Sequence, residues 1–550
     1  MADGSRSFNF PPPQASRLRP GEIVVDLFAG GGGASEALKQ ATGLDPALAY
    51  NHDEWAIGMH AANHPLTIHH REDIWHADPR EDVAGRPIGW FHASPDCTHF
   101  SQAKGGQPRS RKTRALSWVV LKWIGQLLRA DEREGTNTAP RIVSLENVWQ
   151  ILTWGPLVAK RCKATGRVLK MDGTVAARGE HVPVANQQLV PDKRHSGRTW
   201  RQFIAALESK GYRVEWRKLT ASDYGAGTSR ERLFLLARRD GEPIVWPAPT
   251  HGPAPGLQPR VRAADCLDFS IPCPSIFTRK RPLADATLRR IAKGVMRHVL
   301  QSADPFIVPA THQGSDRVND VQAPLPTITA ANRGELMLAL GTVVAGGVKH
   351  AVACAFLEQA NGGFYEGGGR DAREPMSTIT ASGSQQQLAT AHLITMRRHA
   401  HGQTAGAPLG TVCAGAVHHG VVECTLSPEQ EAGALQVAAF LVKYYGSGIA
   451  VDLREPLDTA TTRDRMALVT VVIQGTPYVI VDIGLRMLKP HELFLAQGFP
   501  TGYRITHTAD GRAISTSAAV RMCGNSVSPP PLYALAAVNL DAAEQLVSAA

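Results

Sequence analysis

Four side chains of the sequence are of the types that nucleophilic and acid–base chemistry uses. Cys97 lies in a run of turn-forming polar residues and is a candidate nucleophile. Glu146 follows an apolar run and is a candidate for proton transfer. Arg230 and Arg232 are two positions apart, so in a strand they share one face and suit an anion or a carboxylate. Each alone has a plainer interpretation, as a buried small hydrophobe, a capping carboxylate or a charged strand edge.

The elements that must position these side chains belong to an α/β fold with a largely parallel sheet. From Glu22 to about Asp240, β-branched runs alternate with segments of helical periodicity. Active sites of such sheets open at the carboxyl ends of the strands, where Cys97 and Glu146 are expected. The predicted strands are 23–27, 47–50, 89–92, 142–145 and 232–236, and the predicted helices include 116–128 and 200–207. A basic, glycine-dotted stretch, 160–198, predicts a surface excursion.

The length of 550 residues exceeds what one hydrophobic core usually supports. We expect a flexible N-terminal segment over 1–20 and a first α/β domain over 21–242. A β-rich region with Gly, Pro and Thr punctuation follows over 243–484. In the closing part, 485–550, a helical pattern begins around Arg486, and a final helix through Leu546 is expected to pack back on the first domain.

A tetrapeptide, Pro-(Leu/Met)-x-Thr, recurs four times in the β-rich region, at 324–327, 375–378, 408–411 and 456–459. Predicted strands at 306–308, 392–394 and 440–442 precede three of the copies. The pattern is typical of a repeated strand–loop–strand unit. It is compatible with a scaffold and with a binding array.

Composition excludes several classes of protein. With 43% hydrophobic and 20% charged residues, the chain is neither collagen, nor a coiled coil, nor disordered throughout. A net charge of +10 favours a polyanionic partner. Eight cysteines without a C-x-x-C pair indicate a reducing compartment, with neither a disulfide framework nor a metal site. We expect no signal peptide and no membrane span.

A glycine-rich segment, Asp26-Leu27-Phe28-Ala29-Gly30-Gly31-Gly32-Gly33, joins the first predicted strand to a helix start. Such a loop lets the backbone approach a ligand at a helix N-terminus. A nicotinamide dinucleotide is disfavoured because Ser35 stands where that fingerprint has a third glycine. Asn51-His52-Asp53 follows the second strand, where it either faces a ligand's ribose or forms a solvated turn.

Taken in order, these motifs resemble those of the DNA cytosine-5 methyltransferases. The glycine loop is similar to that family's cofactor loop, and Pro95-Asp96-Cys97 is similar to its nucleophile loop. Further matches are Glu146-Asn147-Val148, Arg230-Glu231-Arg232, the stretch from Arg486 through Gln497-Gly498-Phe499-Pro500, and Gly524-Asn525-Ser526-Val527. The resemblance covers 22–240 and 484–540 and implies a Rossmann-like, S-adenosylmethionine-dependent methyltransferase sheet with a second, mostly β target-recognition domain over 243–484.

The resemblance also implies roles for individual residues. Cys97 would add to C6 of a cytosine rotated out of duplex DNA, Glu146 would support N3, and Arg230 and Arg232 would orient the base and the carboxylate. Asp73 and Ile74 would line the adenine pocket, although Asp73 also suits a simple helix cap. The full set of implied cofactor contacts is Asp26, Phe28, Gly30, Gly32, Asn51, His52, Asp73, Ile74, Asn525 and Ser526.

For the DNA, we expect a basic loop over 104–114, with Lys104, Arg109 and Arg111, to close over the backbone; otherwise it is a solvated loop. The expected partner is double-stranded DNA, bound by a monomer in the cytoplasm of a bacterial or phage-infected cell.

The sequence departs from the family pattern at two positions of the site. Asp96 replaces the usual Pro, and its negative charge opposes a lowered thiol pKa. Asn51 replaces a Glu. The alternatives are an RNA cytosine-5 methyltransferase, an inactive DNA-binding homologue and a nicotinamide dehydrogenase.

Overall fold

The structure is a computed structural model of the chain. It describes residues 16–97, 99–100, 110–268, 270–283 and 482–540, apart from the side chain of Lys112. It also describes single helical residues within 288–295 and 436–440, and the backbone of strands between 306 and 481.

A seven-stranded sheet forms the centre of the first domain, in the order β3-β2-β1-β4-β5-β9-β8. The first five strands in this order are parallel, whereas β9 runs antiparallel to both β5 and β8. All five predicted strands are present, which confirms the α/β prediction. The bounds are β1 Ile23–Leu27, β2 Leu48–Tyr50, β3 Ile68–His70, β4 Ile88–Ala93, β5 Ile142–Asn147, β8 Arg213–Thr220 and β9 Glu231–Arg238; β6 Leu157–Ala159 and β7 Leu189–Pro191 form a separate hairpin.

Some of the helices cover both faces of this sheet, and others belong to a separate hydrophobic core. They are α1 Gly33–Thr42, α2 Glu54–Asn63, α3 Pro79–Val83, α4 Arg111–Arg114, α5 Trp118–Glu134, α6 Arg198–Glu208, α7 Pro490–Ala496, α8 Thr516–Asn525 and α9 Pro529–Ala537. Alternate residues of β1 face opposite ways, so Val25 packs with α5 and α6, while Val24 packs with α1 and α9. The sheet is therefore doubly wound, and α9 packs on the first domain.

The strand order reverses between β1 and β4, which is where open α/β sheets bind their ligands. The carboxyl ends of the parallel strands β1, β4 and β5 meet at one edge. Because β9 is antiparallel, its first residues reach the same edge. Loops from four strands converge there.

A second sheet of eight strands lies in the β-rich region, in the order β11-β10-β14-β13-β15-β12-β17-β16. It is antiparallel except for the β12–β15 pair, so the mostly β prediction is confirmed. The bounds are β10 Phe306–Ile307, β11 Asn319–Asp320, β12 Leu336–Ala339, β13 Ala351–Gln359, β14 Arg370–Asp371, β15 Gln386–Thr395, β16 Thr470–Ile473 and β17 Thr476–Met487. The four tetrapeptides lie outside the described residues. Phe440 is helical, so the strand predicted from 440 is wrong at its first residue.

Three boundaries differ from the prediction. Arg486 lies in β17, and the helix expected around it begins at Pro490, where Pro suits the first helical turn. The last helix ends at Ala537 rather than continuing to Leu546. The expected flexible segment 1–20 extends too far, because Leu18 is buried beside α1 and α9; residues 1–15 lie outside the described part.

The start of the β-rich region is also attached to the first domain. Ile244 is buried in the same core as β1, and the backbone N–H of Val245 donates to Asn539. In the described part of the chain, no helix is long and apolar enough to cross a membrane.

Candidate active site

The loop after β4 presents the Cys97 thiol at the edge where the strand order reverses. The side-chain amide of Asn147, at the end of β5, donates to the carbonyl of Pro95 at 2.9 Å. The hydroxyl of Ser94 donates to the carbonyl of Phe28 in the glycine loop at 3.2 Å. The nucleophile loop is therefore tied to its neighbours on both sides, and Cys97 stays partly accessible.

The predicted carboxylate and both predicted guanidiniums lie together. Glu146 is the penultimate residue of β5, and its Oε1 lies 3.2 Å from Nε of Arg232 and 3.6 Å from an amino nitrogen of Arg230. All three side chains are buried. Register explains the contact: Glu146 pairs with Phe234 on the antiparallel strand β9, so the start of β9 reaches back to the end of β5. A second amino nitrogen of Arg230 donates to the carbonyl of Gly524, which links this group to α8.

The charges around Cys97 act on its thiol in opposite directions. Burial raises the thiol pKa most strongly, Arg232 lowers it, and the carboxylates of Glu146 and Asp96 raise it again. The net pKa lies above the ordinary value. The Asp96 carboxylate therefore raises the thiol pKa, as expected. Arg232 is the charged side chain that lowers the thiol pKa most.

The glycine loop after β1 adopts backbone conformations that favour glycine. Gly30 has φ +54° and Gly32 has φ +93°. A Cβ atom on Gly32 would lie 2.1 Å from the hydroxyl of Tyr503, which itself donates to the carbonyl of Gly31 at 2.7 Å. Phe28 also has a positive φ, of 63°, which is uncommon for a bulky residue. The loop is thus shaped by the close approach of the Tyr503 side chain from a distant segment.

Buried polar atoms at this loop lack partners among the described residues. These are Oδ1 of Asp26 and Oγ of Ser526. Buried polar groups are normally hydrogen-bonded, so unsatisfied oxygens beside a glycine loop at a helix N-terminus suit a polar ligand. The position fits the predicted cofactor.

A buried hydrogen-bonded chain runs from Asp26 to the third strand. The hydroxyl of Ser35 donates to Asp26 at 2.7 Å, Nε2 of His60 lies 2.8 Å from that hydroxyl, and Nδ1 of His60 lies 2.8 Å from Nε2 of His69. Burial raises the pKa of Asp26 to about 7, and burial together with His64 and His69 holds the pKa of His60 well below its usual range. Sequence reasoning missed Ser35 as a site residue, although its departure from the dinucleotide fingerprint was a signal. The sequence around His60, His69 and Tyr503 gives no indication that these residues lie at the site.

The other predicted cofactor residues differ in exposure and in their hydrogen bonds. Asn51 accepts from the backbone N–H of Asp53 at 2.9 Å, as a polar turn would, and His52 is exposed. Asp73 is exposed and accepts from the backbone N–H of Trp75, whereas Ile74 is buried. Asn525 is exposed at the end of α8.

The basic loop is only partly described. Lys104 and Arg109 lie outside the described residues, and Arg111 is exposed at the start of α4. Arg114 is buried, with its guanidinium donating to the carbonyls of His99 and Gly155 at 3.3 Å each. Arg114 was expected to belong to the basic loop that closes over the DNA backbone, whereas its buried side chain holds the end of the nucleophile loop.

Within the described ranges, no group of three or more His, Cys, Asp or Glu side chains could hold a metal ion.

Comparisons with known proteins point to one family. A sequence profile described as C-5 cytosine-specific DNA methylase matches residues 23–155 and 187–275. The chain is 25% identical over 233 residues to the Type II methyltransferase M.AgeI of Thalassovita gelatinovora, covering 42% of each protein. It is 38% identical over 65 residues to the Type II methyltransferase M.BsuRI of Bacillus subtilis, covering 12% of this chain and 15% of that one. The chain thus spans less than half the length of both relatives.

Among solved structures, the chain is similar to the Dnmt2 methyltransferase of S. pombe, with 13% identity and a TM-score of 0.41. The match covers 94% of this chain and 98% of that one.

Proposed function

Since the chain belongs to the DNA cytosine-5 methyltransferase family, we propose that it transfers a methyl group from S-adenosylmethionine to C5 of cytosine in a specific DNA sequence. The observation that carries the proposal is the meeting of Cys97, Glu146 and Arg232 at one sheet edge, beside the glycine loop. A nicotinamide dehydrogenase would not use Cys97, Glu146 and Arg232 in its reaction.

Chemically, C5 of cytosine is a poor nucleophile until a group adds to C6. The Cys97 thiol gives up its proton to solvent, the sulfur bonds to C6, and the electron pair of the C5–C6 double bond becomes available at C5. Glu146, protonated or sharing a proton with the base, supports N3 as charge develops there, and Arg232 holds the Glu146 carboxyl in place. Once this electron pair has formed the bond to the methyl group that a bound S-adenosylmethionine would supply, loss of the C5 proton to solvent lets the C5–C6 double bond form again as the carbon–sulfur bond breaks, which restores the aromatic ring and the free Cys97.

S-adenosylmethionine supplies an electrophilic methyl group when it is bound. The residues that would hold it are those of the glycine loop with the unsatisfied oxygens of Asp26 and Ser526. Phe28, Gly30 and Gly32 form the loop itself. Asn51, His52, Asp73, Ile74 and Asn525 complete the proposed contacts.

The target cytosine must leave the duplex to reach Cys97, which costs a few kcal/mol. Lys104, Arg109 and Arg111 of the basic loop would offset this cost through phosphate contacts, and the β-rich region would read the target sequence. The proposed partner is double-stranded DNA, and we keep the expectation of a monomer. Because the named relatives are Type II methyltransferases, a restriction–modification role in a bacterial cytoplasm follows from the same proposal.

The test uses the purified full chain with methyl-labelled S-adenosylmethionine and unmethylated plasmid DNA. We expect label in the DNA at C5 of cytosine, no label with Cys97→Ser, and unchanged transfer with Cys162→Ser, a second free cysteine. The wild type should also form a covalent adduct with DNA that contains 5-fluorocytosine.

Two results would overturn the proposal. Label that enters transfer RNA instead of DNA would assign the RNA reaction. Binding of DNA with neither label nor adduct would assign the inactive, DNA-binding alternative.

A further inference from the structure

The methylase profile does not match most of the basic excursion. It matches up to residue 155 and resumes at 187, so residues 160–186 lie between the two matched segments. Residues 160–198 contain nine Lys and Arg against three Asp and Glu, a net charge of +6 beside +10 for the whole chain. Fewer than a tenth of the residues thus carry more than half of the net positive charge.

These positive charges are largely unpaired. Lys170 forms an ion pair with Glu180 at 2.7 Å. In the described part of the chain, Lys163, Arg178 and Lys193 are exposed and have no ion-pair partner. Unpaired exposed cations make a surface that attracts phosphate groups.

The base of the excursion sits on the nucleophile loop. The carbonyl of Gly155 accepts from the Arg114 guanidinium, which also donates to the carbonyl of His99, two residues after Cys97. The ring of Trp154 contacts the ring of Phe100, with centroids 5.9 Å apart. The excursion therefore leaves the sheet beside the loop that carries the thiol.

The excursion also returns to the same place and has defined internal structure. The backbone N–H of Asp192 donates to the carbonyl of Pro156 at 3.0 Å, and β6 pairs with β7 as a hairpin. Further bridges join Arg161 to Val168 and Leu169 to Val175. Its cations are therefore held on a folded platform.

We propose that residues 160–198 form a second DNA-binding surface that contacts phosphates of the duplex flanking the target cytosine. This inference rests on the proposed function, because it takes Cys97 as the point where the target base arrives. It adds a contact surface outside both the basic loop and the β-rich region. The contacts would be with the backbone, so they would strengthen binding regardless of sequence.

The test measures binding of a fluorescein-labelled 40-bp duplex of mixed sequence by anisotropy, from 50 to 250 mM KCl. The variant is Lys163→Gln/Arg178→Gln/Lys193→Gln. The matched control, Arg129→Gln/Arg133→Gln/Lys210→Gln, removes the same charge near the ends of α5 and α6, at the opposite edge of the sheet. Each lost phosphate contact lowers the slope of log affinity against log salt by about 0.9. We expect a slope lower by about 2 to 3 in the variant and an unchanged slope in the control.

A deletion gives a second reading that does not depend on the choice of three residues. The backbone N–H of Lys160 donates to the carbonyl of Gln188 at 2.7 Å, so an Asn-Gly turn can join these two residues after removal of 161–187. This variant should show the same loss of salt dependence, with methyl transfer retained at saturating DNA.

Equal slopes for the variant, the deletion and the control would overturn the inference. A larger loss for a transfer RNA than for the duplex would reassign the surface to RNA. If the wild type binds the duplex through the excursion and transfers no methyl group, the proposed function fails while this surface stands.

Discussion

The Nε atom of Arg232 lies 3.2 Å from the carboxylate of Glu146, although the two residues are 86 positions apart in the sequence. The antiparallel pairing of β5 with β9 produces this contact. It gives Arg232 two functions at once, since the guanidinium holds the carboxyl and lowers the pKa of the Cys97 thiol.

Replacing Glu146 by Gln should lower kcat for methyl transfer by about 10²- to 10⁴-fold, because the amide keeps the shape of the side chain and cannot transfer a proton. The matched control is Glu231→Gln. Glu231 lies on the same strand as Arg232, and its exposed carboxylate pairs with Lys218 of the neighbouring strand at 2.9 Å. Steady-state kinetics with labelled cofactor gives kcat. Similar values for the two variants would rule out the role assigned to Glu146.

Changes to the charges around Cys97 should move its thiol pKa in opposite directions. Asp96→Asn should lower the pKa, because this carboxylate raises it, whereas Arg232→Gln should raise it further. Arg232→Lys retains the charge and should shift the pKa less. The measurement is the rate of alkylation of Cys97 by iodoacetamide across pH 6 to 10, followed by mass spectrometry. A rate profile that does not move in either variant would contradict the geometry described above.

Gly32→Ala should abolish cofactor binding and destabilise the fold. The residue has a φ of +93°, and the added Cβ would lie 2.1 Å from the hydroxyl of Tyr503. Gly21→Ala is the control: it has a similar φ of +79° and nothing within 4 Å, so it should cost about 1 kcal/mol from the backbone alone. The double variant Gly32→Ala/Tyr503→Phe should recover part of the stability. Calorimetry and cofactor titration measure both effects, and a Gly32 variant no worse than the Gly21 variant would refute the close approach.

The stability of the folded chain should depend on pH through Asp26, whose pKa burial raises from 3.8 to about 7. The folded state binds this proton more tightly than the unfolded chain, so the associated stability is complete below about pH 3.8 and is lost as pH rises through about 7. The shift corresponds to about 4 kcal/mol at most. Asp26→Asn cannot ionise, so its stability relative to the wild type should increase from pH 5 to pH 8.

Urea unfolding at the two pH values measures this difference. A constant offset between Asp26→Asn and the wild type would mean that Asp26 ionises normally in the folded protein.

Local sequence was sufficient to predict most strands of the first domain and the proximity of Cys97 to Glu146. The strands around Val25, Phe91 and Val143 are buried on both faces and read as short β-branched runs. Cys97 lies in the loop after β4 and Glu146 near the carboxyl end of β5, so their meeting at one edge follows from the parallel pairing of these strands. The strand β8 was missed because it lies at the sheet edge with mostly exposed or half-exposed charged residues, which hides its hydrophobic alternation.

Interactions between distant segments could not be predicted in this way. Arg114 reads as one more cation of a basic loop, and its burial depends on the carbonyl of Gly155. His60 reads as a single histidine in a helix, and its role depends on Ser35 and His69. Arg486 precedes a helix in sequence yet belongs to β17, because its backbone pairs with β12 and β15. In each case the partner is fixed by tertiary contact rather than by neighbouring residues.

The hydrogen bond from Tyr503 to the carbonyl of Gly31 joins two positions separated by 472 residues. A ribosome that adds roughly 5 to 20 residues per second needs roughly 25 to 95 seconds to pass from one to the other. During that interval the nascent polypeptide has its glycine turn without the tyrosine that closes it. Closure of the glycine loop by Tyr503 is therefore a late event of biosynthesis, and translation products that end before Tyr503 would lack it.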